Sequence, residues 1–277
     1  MTVAFDETVF AANRARGHVA LAVAHARGAT RRARVVEEGS LRVRFPGPKS
    51  HDLDAVIVNT AGGIAGGDCF DLDVTVGAGA RLAVTTAAAE KVYRSLGPDS
   101  SVHLRLTIDP HGALTWLPQE TILFDRARLF RSIDVDLAAD ASLVLAEALV
   151  FGRAAMGEIV EQGSLFDRWR VRRNGKLAFA ETMRLDEAIA ARLRQPAVAA
   201  GGAAVATLLV VPADEPRIAA LQGLTHWQGE AGLSAWNGLA VARFVAKDGA
   251  SLRHDLISLL GALGVPLPRL WLNLVRS

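Results

Sequence analysis

Residues 55–86 read AVIVNTAGGIAGGDCFDLDVTVGAGARLAVTT, and this stretch decides the fold. Two glycine-rich turns, at 62–67 and 77–79, separate three runs of residues in which apolar positions alternate with others. Alternation with a period of two is typical of β-strands with one buried face, and glycine supplies the backbone conformations that tight turns require. The stretch therefore predicts three strands joined by two short turns.

The same alternation continues through much of the first two-thirds of the chain. Turn-forming residues fall between the runs at 77–79, 109–112 and 138–141, where hairpins need them. The dipeptide Asn174-Gly175 is a strong signal for a two-residue hairpin. We therefore expect a mainly β fold, built as a long antiparallel β array.

Helical spacing appears only late in the sequence. Leucines repeat at intervals of three and four residues over 252–263, and residues 216–221 favour a shorter helix. Residues 205–211 are apolar enough for a strand that is buried on both faces. We expect one or two C-terminal helices and, because no clear linker divides the chain, a single domain over residues 1–277.

Composition excludes several classes of protein. The chain has 277 residues, 51% of them hydrophobic, so it can bury a large core. A formal net charge of +2, without blocks of like charge, indicates neither a nucleic-acid partner nor a membrane partner. The single cysteine, Cys69, cannot form an internal disulfide, and the first residues do not resemble a secretory signal. These features predict a cytoplasmic protein.

The glycine-rich run does not have the context of a phosphate-binding loop. Such a loop needs Gly-Lys-Ser/Thr followed by a helix, whereas Asp68 follows the glycines here and a strand comes next. No nucleophile–base pattern and no metal-ligand spacing is present, so the sequence indicates neither an enzyme nor a tightly bound cofactor. One alternative remains open: a β-rich hydrolase that uses Asp68 and Glu120 as an acid–base pair.

Several carboxylates lie in apolar surroundings, above all Glu147 in LVLAEALVF and Glu181 in LAFAETMRL. A buried carboxylate is costly unless it is paired, hydrogen-bonded or in contact with water. Arg153 and Arg184 are available as partners. The residues therefore leave two interpretations open, structural ion pairs or a water-lined cavity that a divalent ion could cross.

Four segments together resemble the UreD family of urease accessory proteins. They are VIVNTAGGIAGGDCFDLDVTVGAGARLAVTTAAAEKVYRS at 56–95, GALTWLPQETILFDRARLFRSIDVDLAADASL at 112–143, EALVFGRAAMGE at 147–158 and LPRLW at 267–271. The resemblance implies a mostly β scaffold that binds apo-urease together with UreF and UreG. It also implies that nickel passes through the protein in transit, with no tightly bound cofactor.

On that resemblance, we expect Asp68, Glu147 and Glu181 to lie along the nickel path. The C-terminal residues Arg269, Leu270 and Trp271 are candidates for a surface that docks UreF, because arginine and tryptophan often anchor interfaces. Plain core packing of the tryptophan is the alternative. A structural adaptor without any role in metal transfer also remains open.

Overall fold

The computed structural model describes residues 13–47, 52–153, 156–223 and 226–272. The first residues of the chain, which the sequence predicts not to be a secretory signal, lie mostly outside the described residues. The strands are β1 (Arg16–Ala26), β2 (Ala29–Gly39), β3 (Leu41–Arg44), β4 (Leu53–Asn59), β5 (Cys69–Val76), β6 (Arg81–Thr86), β7 (Glu90–Val92), β8 (Ser100–Ile108), β9 (Ala113–Trp116), β10 (Thr121–Leu123), β11 (Arg128–Leu137), β12 (Ser142–Phe151), β13 (Ser164–Arg173), β14 (Lys176–Asp186), β15 (Ala204–Val211), β16 (Glu230–Trp236) and β17 (Leu239–Ala246). The helices are α1 (Ile189–Leu193), α2 (Glu215–Leu221), α3 (Gly249–Ala262) and α4 (Arg269–Leu272).

Two large sheets face each other. A seven-stranded sheet has the order β14-β13-β11-β8-β5-β1-β2, and a ten-stranded sheet has the order β16-β17-β15-β12-β9-β6-β4-β3, with β7 and β10 attached beside this path. The prediction of a mainly β fold is confirmed. In the described residues, no helix is long and apolar enough to cross a membrane.

The expectation of an antiparallel array is wrong for the centre of both sheets. The seven-stranded sheet contains five neighbouring strands that run parallel to one another: β1, β5, β8, β11 and β13. The ten-stranded sheet contains four such strands: β4, β6, β9 and β12. Antiparallel ladders join β2, β3, β14, β15, β16 and β17 to their neighbours. The sheets are therefore mixed, with parallel centres.

The predicted turns explain this difference. The turns at 77–79, 109–112 and 138–141 occur where the sequence places them, but each connects a strand of one sheet to a strand of the other. The chain thus alternates between the sheets, and each sheet receives successive strands that run in the same direction. Asn174-Gly175, in contrast, forms the predicted hairpin between β13 and β14.

The predicted helices at 216–221 and 252–263 are confirmed as α2 and α3. Helix α3 begins after Asp248, whose carboxylate accepts the amide N–H of Ser251 at 2.8 Å, and packs on the outer side of β15 and β17. As expected, β15 is buried on both faces, because it lies between this helix and the opposite sheet. One hydrophobic core fills the space between the sheets, and a second lies beneath α3.

Candidate functional site: a polar cavity between the sheets

A cavity of about 90 Å³ lies between the two sheets and can hold several water molecules. Most of its wall is apolar, with Leu72, Leu104 and Ile133 among the lining residues. Six polar or charged residues also line it: Thr86, Glu90, Gln119, Thr121, Arg131 and Glu147. The inner faces of both sheets contribute to this group, so polar side chains from both sheets meet in a cavity with a mostly apolar wall.

Arg131 is the centre of a buried ion cluster in the cavity wall. Its Nη1 donates to Glu147 Oε2 at 2.5 Å, while Nε and Nη2 donate to the two oxygens of Asp167 at 3.0 and 2.6 Å. The indole N–H groups of Trp116 and Trp169 donate to Glu147 and Asp167 at 2.9 and 3.2 Å. Every acid in the cluster is therefore hydrogen-bonded as well as paired, as burial requires.

The cluster contains two carboxylates and one guanidinium. Burial disfavours the charged form of Arg131, but the charges of Asp167 and Glu147 outweigh this effect and raise the pKa of the guanidinium above its ordinary value. Burial also raises the pKa of Glu147, against the opposing effect of Arg131. One guanidinium thus faces two acids, and both of them stabilise its positive charge.

Glu90 is a further carboxylate on the cavity wall, and the sequence did not single it out. Burial raises its pKa from 4.5 to about 7, although Asn59 Nδ2 donates to its Oε1 at 3.1 Å and opposes this shift. The same amide group donates to the carbonyl of Gly63 at 3.0 Å. Asn59 therefore joins this carboxylate to the glycine-rich loop.

The glycine-rich loop closes over β7. Gly63 has φ of 145°, and a Cβ there would lie 2.4 Å from the ring of Tyr93. Tyr93 also donates its hydroxyl to the carbonyl of Gly62 at 3.0 Å. Ile64, which is buried, reaches the cavity from this loop. The glycines thus permit a close approach of the loop to the strand that carries Glu90.

Asp68 is buried but does not line the cavity. Its Oδ1 accepts the amide N–H of Ala15 at 2.8 Å, and its Oδ2 accepts that of Ala65 at 2.7 Å. The two oxygens thus fix the backbone just before β1 and in the glycine-rich loop. Glu120, its proposed partner in a hydrolase, instead faces α3 on the outer side of the ten-stranded sheet, so the structure does not assemble that acid–base pair.

Glu181 lies on β14, at the edge of the seven-stranded sheet, and does not line the cavity. Its Oε2 accepts Arg243 Nη2 at 2.7 Å. The sequence suggested Arg153 and Arg184 as partners for the interior acids, but these arginines pair with Glu158 and Asp186. That pairing was wrong, because the true partners come from strands distant in sequence. Of the three predicted path residues, the structure places only Glu147 at the cavity.

The C-terminal candidates separate into buried and accessible residues. Trp271 is 3% exposed, its indole N–H donates to the carbonyl of Leu117 at 3.0 Å, and it belongs to the core beneath α3. Arg269 is exposed and Leu270 is half-buried, and both border a groove of about 240 Å³ beside β4 and β6. Only Arg269 and Leu270 are accessible to a partner.

Sequence reasoning missed Arg131 and Asp167, although a signal for both exists. Arg131 lies in phase with Leu129 and Ile133 on β11, and Asp167 lies in phase with Leu165 on β13. A charged residue in an inward-facing position must find a partner within the core. In the part of the chain that the structure describes, no group of three or more His, Cys, Asp or Glu side chains could hold a metal ion.

Comparisons with known proteins assign the chain to a family. The family model for the UreD urease accessory protein matches residues 15–272. A urease accessory protein UreD from Rhodopseudomonas palustris (strain BisA53) is 55% identical over 273 residues, which cover 98% of this chain and 96% of the relative. Another from Bradyrhizobium diazoefficiens is 54% identical over 268 residues, covering 96% and 97% of the two chains. The chain therefore belongs to the UreD family, whose members are urease accessory proteins and not enzymes.

Proposed function

We propose that this chain is a cytoplasmic scaffold that binds apo-urease together with UreF and UreG and passes nickel towards the urease active site. Its membership of the UreD family supports the role in urease maturation. Two rigid sheets with a shared core provide extended outer faces for partner proteins, and Arg269 and Leu270 belong to such a face. We propose these two residues as contacts for UreF.

The cavity between the sheets is the observation that supports passage of nickel. It holds space for water, and the acidic residues Glu90 and Glu147 are among those that line it. Carboxylates and water are hard ligands that bind a divalent ion without the strength of thiolates, so the ion can leave again. A partly hydrated nickel ion could therefore cross the core at this point without being trapped.

The test is the nickel content of urease matured in cells that express the urease subunits, the other accessory proteins and a variant of this chain. Glu90→Gln and Glu147→Gln each keep the side-chain volume and remove a carboxylate that could bind a cation, so we expect a several-fold lower nickel content with unchanged recovery of the complex. Glu161→Gln, at an exposed carboxylate outside the cavity, is the matched control. Wild-type nickel content in both cavity variants would leave the chain as an adaptor without a metal role.

The same preparations test the other proposed residues. Lower nickel content with Glu181→Gln would extend the path to the edge of the seven-stranded sheet, as the sequence predicts. Arg269→Glu reverses an exposed charge and should reduce co-purification of UreF without altering the fold. Deletion of the C-terminal tail is a poorer test, because it would also remove the buried Trp271.

A further inference from the structure

The ten-stranded sheet is interrupted beside the cavity. On one side of β12, strand β9 pairs with Ser142–Leu145 and strand β10 pairs with Leu149–Phe151. Within the described ladders, residues 146–148 have no partner on that side, because the chain between β9 and β10 departs from β12 over residues 117–120. On its other side this segment keeps backbone hydrogen bonds from Leu117 N–H to Val84 and from Glu90 N–H to Glu120. The backbone ladder on this side of β12 therefore has a gap, open over three residues.

Open spaces lie on both sides of the gap. The cavity described above is on the inner side, and a pocket of about 490 Å³ lies on the outer side, between the sheet and α3. Side chains alternate across the gap, so Gln119 and Thr121 line the cavity whereas Glu120 and Ile122 line the outer pocket. Residues 119–122 therefore contribute to the walls of both spaces.

Arg253 of α3 reaches across this separation. Its Nη2 donates to Gln119 Oε1 and to Glu120 Oε2, and its Nε donates to Glu120 Oε1 at 2.7 Å. The guanidinium also lies 5.1 Å from the ring centre of Trp271, which covers it from the C-terminal side. A single side chain thus contacts the inward-facing and the outward-facing residue of the gap.

Two donors at the gap have no partner among the described protein atoms. They are Nε2 of Gln119, which is 4% exposed and lines the cavity, and Nη1 of Arg253, which is 8% exposed and lines the outer pocket. A buried donor without an acceptor costs about 1–3 kcal/mol, so such groups are normally satisfied by water. One of these donors lies on each side of the same hydrogen-bonded pair.

We propose that the outer pocket is an opening of the inner cavity, that water connects them past Gln119, and that Arg253 controls this connection. When Arg253 bonds to Gln119 and Glu120, the gap is narrow. When it moves towards the outer pocket, the two spaces join. The proposal rests on the proposed function in that the connection would give a hydrated cation a route between α3 and the cavity.

The test measures access to the cavity in the full-length chain without nickel or urease. A Thr121→Cys substitution, in a Cys69→Ser background, places one thiol of similar size on the cavity wall, and its rate of modification by 2-aminoethyl methanethiosulfonate is measured. We expect Arg253→Ala to increase this rate several-fold. Adding Ala250→Trp, which fills the outer pocket from an exposed position, should reverse the increase.

The controls separate this route from general loosening of the fold. Arg184→Ala removes an exposed arginine that is paired with Asp186 and should leave the rate unchanged. An unchanged rate with Arg253→Ala would overturn the proposal, and so would an increase that Ala250→Trp fails to reverse. This assay contains no nickel, so its outcome is independent of the nickel-content assay. An unchanged modification rate would overturn the proposed connection and leave the proposed nickel path standing, and wild-type nickel content would overturn the nickel path and leave the connection standing.

Discussion

Replacement of Glu90 by glutamine should stabilise the protein at high pH, because it removes a carboxylate that the fold buries. The pKa of Glu90 is raised from 4.5 to about 7 in the folded chain. The folded state therefore holds this proton more tightly than the unfolded state does. The stabilisation that this bound proton gives to the folded state is complete below pH 4.5 and is lost as pH rises to about 7. From these values, we expect Glu90→Gln to be more stable than the wild type by about 1 kcal/mol at pH 5 and about 3 kcal/mol at pH 8.

The assay is urea denaturation of both proteins at a series of pH values, with the difference in free energy of unfolding as the readout. Other titrating groups are common to both proteins, so the difference isolates Glu90. Glu161→Gln, at an exposed carboxylate, should change stability by less than about 1 kcal/mol at every pH. A constant difference between Glu90→Gln and the wild type from pH 5 to 8 would refute the burial of an ionisable Glu90.

Two further changes test other parts of the site by thermal or urea denaturation. Arg131→Ala leaves Glu147 and Asp167 buried without their cation and should cost about 3–5 kcal/mol, so an effect below 1 kcal/mol would contradict the ion cluster. Gly63→Ala adds a Cβ that meets the ring of Tyr93, at a backbone conformation that alanine rarely adopts, and should cost at least about 1 kcal/mol. Gly62→Ala is its control: Gly62 also has a positive φ, of 79°, but a Cβ there meets no atom within 4 Å, so this variant carries the backbone cost without the contact.

The sequence predicts the strands and turns well because side-chain alternation reports burial on one face directly. It cannot distinguish parallel from antiparallel pairing, since alternation along β5 or β11 is the same in both cases. The turn at 77–79 would suit a hairpin between neighbouring strands, yet it connects β5 to β6 in the opposite sheet. Partner choice depends on contacts between residues that are far apart in the chain.

The site was predicted only in part for the same reason. Glu147 could be identified because it interrupts a long apolar strand. Glu90 could not, because β7 has only three residues and its burial comes from the glycine-rich loop and β10 packed around it. Trp271 shows the reverse problem, since a tryptophan near the C-terminus resembles an interface anchor until its hydrogen bond to Leu117 is known.

The buried ion cluster is difficult to explain by stability alone. Replacing such a cluster by apolar residues of similar volume is often neutral, or stabilising by about 1–4 kcal/mol. The core between the sheets is otherwise made mostly of aliphatic and aromatic side chains, which could fill the same space. Glu147 lies within the three residues of β12 that face the interruption of the sheet. The charges and the gap thus occur at the same level of the fold, which is where the proposed route for a hydrated cation would pass.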